Sequence, residues 1–493
     1  NVTTYTYDAQ GRMINSSNAI SQVNLSYDNA NRLATETLTN LSNNRSITTR
    51  YTYDSTDRES QRTFEATDFK TLKLTQDYNS SYQISGMALY ESDTLLRKET
   101  FGYDNNGRLA SYTCEGTRKP TTPEGLVLDK QVFTYDLVGN IMQCDNTSNS
   151  RTFSDTYQYD ETDPTQLISA TRWNPDSTPK NCNFTYDNLG FLNNNNGALL
   201  KYNSLDKLHS IQSAKGNHNY YYNNLGQVSG CEGTNYYDQY YYQGDYQYAR
   251  KGVVQTNGKR YNRTCVLLNK SGACMLQQNT LSVDTGPSST NYSFELKDMK
   301  GSLIASYNLL DNSSTFFSYT PFGYRPDDWQ SSSWVGFNGQ PIDRINGCYY
   351  LGNGVRVYDP HSQNFQSPDS LSPFGEGGAN NRSYCHNDPV NYSDPSGRTE
   401  IVAQYTVYTH TPALQDPVVR AVVGGAIGVL LAPFTGGASI GWTVTAIGVA
   451  AVSAGFGIAS AVLEKSDPDL AMALGLASMG TGIVSAGAGI IGT

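Results

Sequence analysis

Through residues 1–235, apolar and polar positions alternate in short runs, each closed by Asp or Asn and a turn residue. The recurring unit is aromatic-x-Tyr-Asp, a turn with Gly or Asn, Arg or another polar residue, then an apolar residue. It reads YTYDAQGRM from Tyr5, LSYDNANRL from Leu25, YTYDSTDRE from Tyr51, FGYDNNGRL from Phe101, FTYDLVGNI from Phe133, YQYDETDPTQL from Tyr157 and FTYDNLGFL from Phe184. Weaker copies follow as LKYNSLDKL from Leu200 and YYYNNLGQV from Tyr220. A period of two puts both rings of aromatic-x-Tyr on one face of a strand. The Asp or Asn ends that strand and can bond the backbone just ahead of it. The Gly or Asn that follows supplies the positive φ of a hairpin, and the next apolar residue opens the return strand. One such hairpin cannot bury its aromatic face alone, so successive hairpins must pair edge to edge. The expectation is an all-β chain with one long, irregular sheet; the uneven spacing argues against a strict solenoid.

Residues 236–335 keep strands and turns but lose the repeat. YYDQYYYQGDYQYARK alternates aromatic with polar residues, and the run from Phe294 to Pro326 has a strand, a Lys-Gly turn and an apolar return strand. Composition agrees, because 37 Tyr favour strands and 44 Gly favour the turns between them. A net charge of −10 without a basic cluster argues against a nucleic-acid partner. The 8 cysteines are scattered with no CxxC or CxxxxH spacing, so free buried thiols are expected and a zinc site is not. The 5 histidines have no HExxH or triad-like context, and neither GxSxG nor a phosphate-binding Gly loop occurs. No cofactor is expected. The chain begins without Met and inside a repeat, which reads as a fragment or a processed piece.

The run LGNGVRVYDPHSQNFQSPDSLSPFGEGGANNRSYCHNDPVNYSDPSGR, Leu351 to Arg398, is dense in turn residues. Asp359, Asp388 and Asp394 each precede Pro, the ordinary setting of a turn. Two close carboxylates could instead share a proton, one activating water and the other protonating the leaving nitrogen. A guanidinium nearby could orient one of them through paired hydrogen bonds.

The YD copies resemble the YD repeats of Rhs and related proteins. Residues 336–397 resemble the Rhs repeat-associated core, in the form found in the C component of bacterial toxin-complex (Tc) insecticidal toxins. The resemblance implies a YD-repeat β-hairpin spiral that forms a hollow shell, or cocoon, closed by an Rhs core plug. It implies a separate B-type component that completes the shell, a C-terminal effector region of the same chain as cargo, and secretion. It further implies that the core frees the cargo by aspartyl autoproteolysis, at most a single-turnover activity. Carried over position by position, the catalytic residues are Arg356, Asp369 and Asp394, and the thirteen-residue interval from Arg356 to Asp369 agrees with the family's. Asp359 and Asp388 are left as turn residues, and Asp343 and Asp327 as turn or surface residues. The adjacent Cys385 and His386 are not read as a nucleophile pair. Many Rhs proteins continue this core with Leu where Arg398-Thr399-Glu400 stand here; the cut is expected between Arg398 and Asp416.

The expected divisions are a repeat shell over 1–235, degenerate shell strands over 236–335, the core and autoprotease over 336–398, a linker over 399–420 and a Gly/Ala-rich hydrophobic segment over 421–493. From Ala421 to Leu463 there are 43 positions without charge, and Gly436–Leu463 is long enough to span a bilayer as a helix. Three readings stand: a helical linker into a toxin domain, a small membrane-active payload contacting membranes through 436–493, or a packed helical hairpin inside the shell. A rival for the whole chain is a non-catalytic YD-repeat surface or adhesion protein with a C-terminal membrane anchor.

Overall fold

The computed structural model describes residues 3–402, apart from 215, 257–258, 269–271, 284–285, 327–332, 344 and 376. Of the described residues, 3–6 and 14–402 belong to one compact unit, and the turn over 7–13 lies outside it. The expected hydrophobic helical segment over 421–493, its spanning stretch 436–493 and most of the expected cleavage linker lie outside the described residues.

The described chain is all-β. Twenty-seven strands, from Thr4–Tyr7 to Ser314–Phe316, form one antiparallel sheet in which each pairs with the next in sequence, and no pairing joins the first strand to the last. Among the described residues the only helical turns are 3-10 turns at Phe337–Gly339 and Cys385–Asn387.

The repeat explains itself at its turn. Oδ1 of Asp54 accepts the backbone N–H of Thr56 (2.8 Å) and of Arg58 (3.1 Å), while Oδ2 accepts Arg58 Nε (2.7 Å). Asp28 with Arg32 and Asp104 with Arg108 repeat the arrangement. The third residue after the Asp takes positive φ, as at Gly107 (81°) and Gly226 (75°), or at Asn31 and Asp57 (64° each) where glycine is absent. Each turn is then bolted to the next. The motif Tyr hydroxyl donates to the carbonyl that opens the preceding return strand: Tyr53 to Leu33 (2.8 Å), Tyr103 to Ile84 (2.6 Å), Tyr135 to Leu109 (2.6 Å) and Tyr222 to Leu208 (2.7 Å). The turn Arg lies over the next Tyr ring, Arg58 over Tyr78 at 4.0 Å and Arg108 over Tyr135 at 4.5 Å. The first motif aromatic (Tyr51, Phe101, Phe133, Tyr157, Phe184, Tyr220) is buried on the inner face.

The same turn occurs where the sequence pattern is weak. Tyr78-Asn79 makes it with Gln83. It returns inside the stretch expected to have lost the repeat, at Asp298, whose Oδ1 accepts Lys300 N (2.9 Å) and Ser302 N (2.8 Å), and at Thr320, whose Oγ1 accepts Tyr324 N (3.1 Å). At Asp298 the aromatic-Tyr lead is gone and only the turn chemistry persists; at Thr320 the lead remains as Phe317-Ser318-Tyr319, and Thr takes the place of the Asp.

The inner face of the sheet meets itself far along the chain. Glu36 accepts Tyr51 Oη–H (2.7 Å) and Ala273 N–H (3.1 Å); burial pushes its carboxyl upward. Arg62 donates to the carbonyls of Lys297 (3.0 Å) and Asp298 (2.8 Å). All eight cysteines are buried thiols, as composition led one to expect.

After the sheet, residues 333–398 form a compact plug around buried Trp334, Phe337, Tyr349, Tyr358, Phe365 and Tyr384, packed with Leu267 and Leu303 of the sheet and with Phe317 just after its last strand. Polar side chains key this plug to the row of YD turns. Asn387 Nδ2 donates to Gly139 O (2.6 Å), Asn380 Nδ2 to Asn140 Oδ1 (2.8 Å), Ile84 N to Asn391 Oδ1 (2.8 Å) and Arg382 to Gly190 O.

Candidate active site

Arg356 lies on the short strand Arg356–Asp359, between Tyr349–Leu351 and Asn364–Phe365. Its guanidinium rests 3.6 Å from the centre of the Phe365 ring, which packs edge-on and tilted against the stacked pair Tyr358 and Tyr384. These rings exclude water from one side of the charge. The other side faces two carboxylates: Arg356 Nη2 is 2.8 Å from Asp369 Oδ2 and 3.3 Å from Asp394 Oδ2. One nitrogen thus bridges the three residues marked in the sequence, although 38 positions separate Arg356 from Asp394. All three are buried. Nε donates to Gly397 O and Nη1 to Asn381 O (3.3 Å), so three of the guanidinium nitrogens have partners.

Each carboxylate is positioned by its own turn. Asp369 accepts Leu371 N–H (2.9 Å) at Oδ1 and donates its own N–H to Asn381 O (2.9 Å), leaving Oδ2 for Arg356. Asp394 accepts Ser396 Oγ–H (2.8 Å) and Arg398 N–H (3.0 Å) at Oδ1, again leaving Oδ2 for Arg356. The Pro-Ser-Gly after Asp394 closes this turn through Gly397 at φ +70°, where a Cβ would stand 3.0 Å from Leu351 O. Glycine is therefore required there. Gly377 is required for space: a Cβ would stand 2.9 Å from Asp369 Cγ.

The electrostatics separate the members. Desolvation raises the Asp394 carboxyl above its ordinary value, against the bonds from Ser396, Arg356 and the backbone that favour its charge. Desolvation also lowers the Arg356 guanidinium, although two carboxylates support its charge. A buried carboxyl that binds its proton more tightly than usual, next to a second carboxyl group on a shared cation, is an arrangement able to give a proton to one atom and take one from another.

Asp359 and Asp388 are turn residues, as expected, but neither is incidental. Asp359 is buried; its carboxylate meets Asn195 Nδ2 (2.9 Å) and His361 Nδ1 (2.9 Å), bonds that outweigh desolvation and hold it down at about 2. Asp388 accepts Asn391 Nδ2 (2.8 Å). Asp343 also makes a turn, accepting Ile345 N–H (2.7 Å), but it is buried, so the surface reading does not hold for it. Asp327 lies outside the described residues. Burial pushes the Cys385 thiol well up, and His386 Nδ1 faces Glu400 at 2.6 Å, so the adjacent pair is not poised as nucleophile and base. Sequence reasoning missed Phe365, Tyr384, Asn381 and Ser396. All stand inside the Leu351–Arg398 run, but nothing in their spacing shows that they converge.

The chain does not leave the site freely. Tyr392–Ser393 pairs antiparallel with Ile401–Val402, with Tyr392 opposite Val402 and Ser393 opposite Ile401. Ser396 Oγ accepts Thr399 N–H (2.9 Å) within the loop. The unusual Arg398-Thr399-Glu400 sequence is thus the turn of a hairpin that folds back beside Asp394.

A family model described as Teneurin YD-shell matches residues 33–376. No curated protein matches the chain. Among solved structures, it is similar to a crystal structure of TcdB2-TccC3-TEV, with a TM-score of 0.54 and 17% identity over 80% of this chain and 21% of that one. It is likewise similar to TccC3 joined to TcdB2 without the hypervariable C-terminal region (TM-score 0.54, 16% identity, 80% of this chain, 21% of that one). A third is a Photorhabdus luminescens Tc holotoxin pore carrying a mutation in TccC3 (TM-score 0.54, 16% identity, 83% of this chain, 21% of that one). At such identity the likeness is one of fold, and this chain spans about a fifth of the length of those solved chains. The repeat turns, the open 27-stranded sheet and a family match over more than half the length converge: the chain belongs to the Teneurin YD-shell family and is an Rhs/YD-repeat protein related in fold to Tc toxin components.

Proposed function

We propose that this chain is the self-cleaving C-terminal part of a toxin-encapsulating shell. Residues 1–335 supply shell strands, 336–398 the plug and autoprotease, 399–420 the cleavage linker, and 421–493 the start of the cargo. A B-type component completes the shell, and the assembly acts after secretion. The observation that carries the catalytic part is the single Arg356 nitrogen shared by buried Asp369 and Asp394. Asp369 takes a proton from water, and the water oxygen attacks the carbonyl carbon of a peptide bond between Arg398 and Asp416. Asp394 gives its proton to the leaving nitrogen as the C–N bond breaks; Arg356 holds both carboxyl groups in place. Enclosing the bond with its catalyst in one chain supplies a high effective concentration, enough for a slow single cut.

Intact-mass measurement of the purified full chain tests this reading. The parent chain is expected as two fragments summing to the full mass plus one water, and Asp369→Asn and Asp394→Asn as single uncut chains. An uncut parent, or efficient cutting in both variants, overturns the autoprotease. Stable insertion of an uncut parent into membranes would favour the anchored adhesion protein instead.

A further inference from the structure

Beside the carboxylate pair, Cys385, His386 and Asn387 all have positive φ (49°, 47° and 64°), three consecutive non-glycine residues in a sparsely populated region. The surrounding structure holds them there. Asn387 N–H donates to Tyr384 O (2.9 Å), Asp388 N–H to Cys385 O (2.8 Å), and Asn387 Nδ2 reaches the YD turn at Gly139 O (2.6 Å). Gly378 lies against His386, where a Cβ would stand 2.6 Å from Nε2. This strained turn aims His386 at the departing chain, and its Nδ1 meets Glu400 Oε1 at 2.6 Å. The next two residues, Ile401 and Val402, pair back onto Tyr392–Ser393, immediately before Asp394.

We infer that His386 and Glu400 form a clasp that holds the exit strand on the core, and that they are positioning residues for the cut proposed above, on which this part of the inference rests. The strand pair is only two residues long, and Asp394 and Ser396 hold its turn rather than its end. The clasp adds a side-chain restraint at the point where the chain must pass the catalytic pair.

The pair is sensitive to pH. The Glu400 carboxylate raises the His386 imidazole above its ordinary value, against desolvation, so His386 is charged at mildly acid pH and the clasp weakens as pH rises through that raised value. Desolvation pushes Glu400 up, but His386 pulls it below its ordinary value overall, so the clasp also weakens as pH falls through that lowered value. Arg356, Tyr392 and Cys385 are the other titratable groups facing Glu400, and Lys300 faces Cys385.

Hydrogen exchange of residues 392–402 in the full chain, kept uncut by Asp369→Asn, tests the clasp; intact mass of chains with Asp369 restored tests positioning. At pH 6, His386→Ala and Glu400→Gln should each speed exchange of this segment at least tenfold over the parent, and each should slow the cut at least tenfold. The exchange difference should shrink by pH 8.5. His386→Lys keeps a cation and should retain protection at both pH values, which a merely structural histidine would not predict. Parent-like exchange in His386→Ala, or loss of protection at pH 8.5 in His386→Lys, overturns the clasp. Faster exchange with an unchanged cutting rate overturns the positioning role. If the parent itself is never cut, the autoprotease reading and the positioning role fail together, while the exchange results still decide whether the clasp exists.

Discussion

Asp and Arg serve different ends in the YD turns and in the plug. In the YD turns the partners are four residues apart and partly exposed, as in Asp54–Arg58 at 2.7 Å. In the plug, Arg356 bridges Asp369 and Asp394 across 13 and 38 positions, with all three buried. Solvent separates the outcomes. In the turn, bonds from Arg58 and Thr56 outweigh desolvation and hold the Asp54 carboxyl down at about 2, so it stays a pure acceptor that builds the turn. In the plug, desolvation wins at Asp394 and lifts its carboxyl, which makes it a candidate proton donor. The same pair of side chains is scaffold where water reaches it and candidate machinery where water does not.

Breaking each pair should expose that difference. The largest effect is expected on cutting: Asp394→Asn should slow it at least ~100-fold, in line with loss of a general acid, while Asp54→Asn leaves the rate unchanged by intact mass. On stability, Arg356→Ala leaves two buried carboxyl groups without their cation and should cost about 3–5 kcal/mol in urea melts. Arg58→Ala breaks a partly exposed pair and should cost no more than about 1 kcal/mol. Gly397→Ala forces a Cβ toward Leu351 O at positive φ and should cost about 1–3 kcal/mol, measured as a lowered Tm. Tyr103→Phe removes the hydroxyl bond to Ile84 O and should cost about 0.5–1.5 kcal/mol.

The pH responses of the two regions should also oppose each other. Asp394, with its carboxyl raised in the fold, favours cutting at acid pH; the rate should fall as pH rises through that raised value, followed by intact mass over time. Its burial also makes the fold less stable as pH rises from the unfolded value to the folded one. Asp54 has the opposite sign: its contribution is present above its unfolded value near 3.8 and is lost as pH falls toward about 2.

The repeat was legible because its physics is local. Aromatic-x-Tyr sets a strand face, Asp bonds backbone within four residues, and Gly107 or Asn31 takes the positive φ, so the motif and its structure occupy the same short window. The Lys-Gly turn after Asp298 was legible as a turn but not as a repeat, because it lacks the aromatic lead; at Thr320 the lead Phe317-Ser318-Tyr319 stands, but Thr replaces the Asp or Asn that marks the other copies. The three candidate catalytic residues were recognised through a family resemblance, and no spacing rule would have joined Arg356 to Asp394. The supporting groups show why. Phe365 underlies the guanidinium, Asn381 O accepts from it, and Gly397 closes the last turn, each from a different segment of the chain.

The chain's sequence by itself therefore determined the hairpin unit, its turn and the all-β class, since these depend on contacts within a few residues, whereas the bolts from one unit to the next span 14 to 26 positions. Only the tertiary structure decided that the plug locks onto the turns at Gly139, Asn140 and Gly190, that the exit folds back as a hairpin, and that desolvation makes Asp394 unlike Asp54. Burial and long-range approach are properties of the assembled sheet and plug, and no short stretch of the chain contains them.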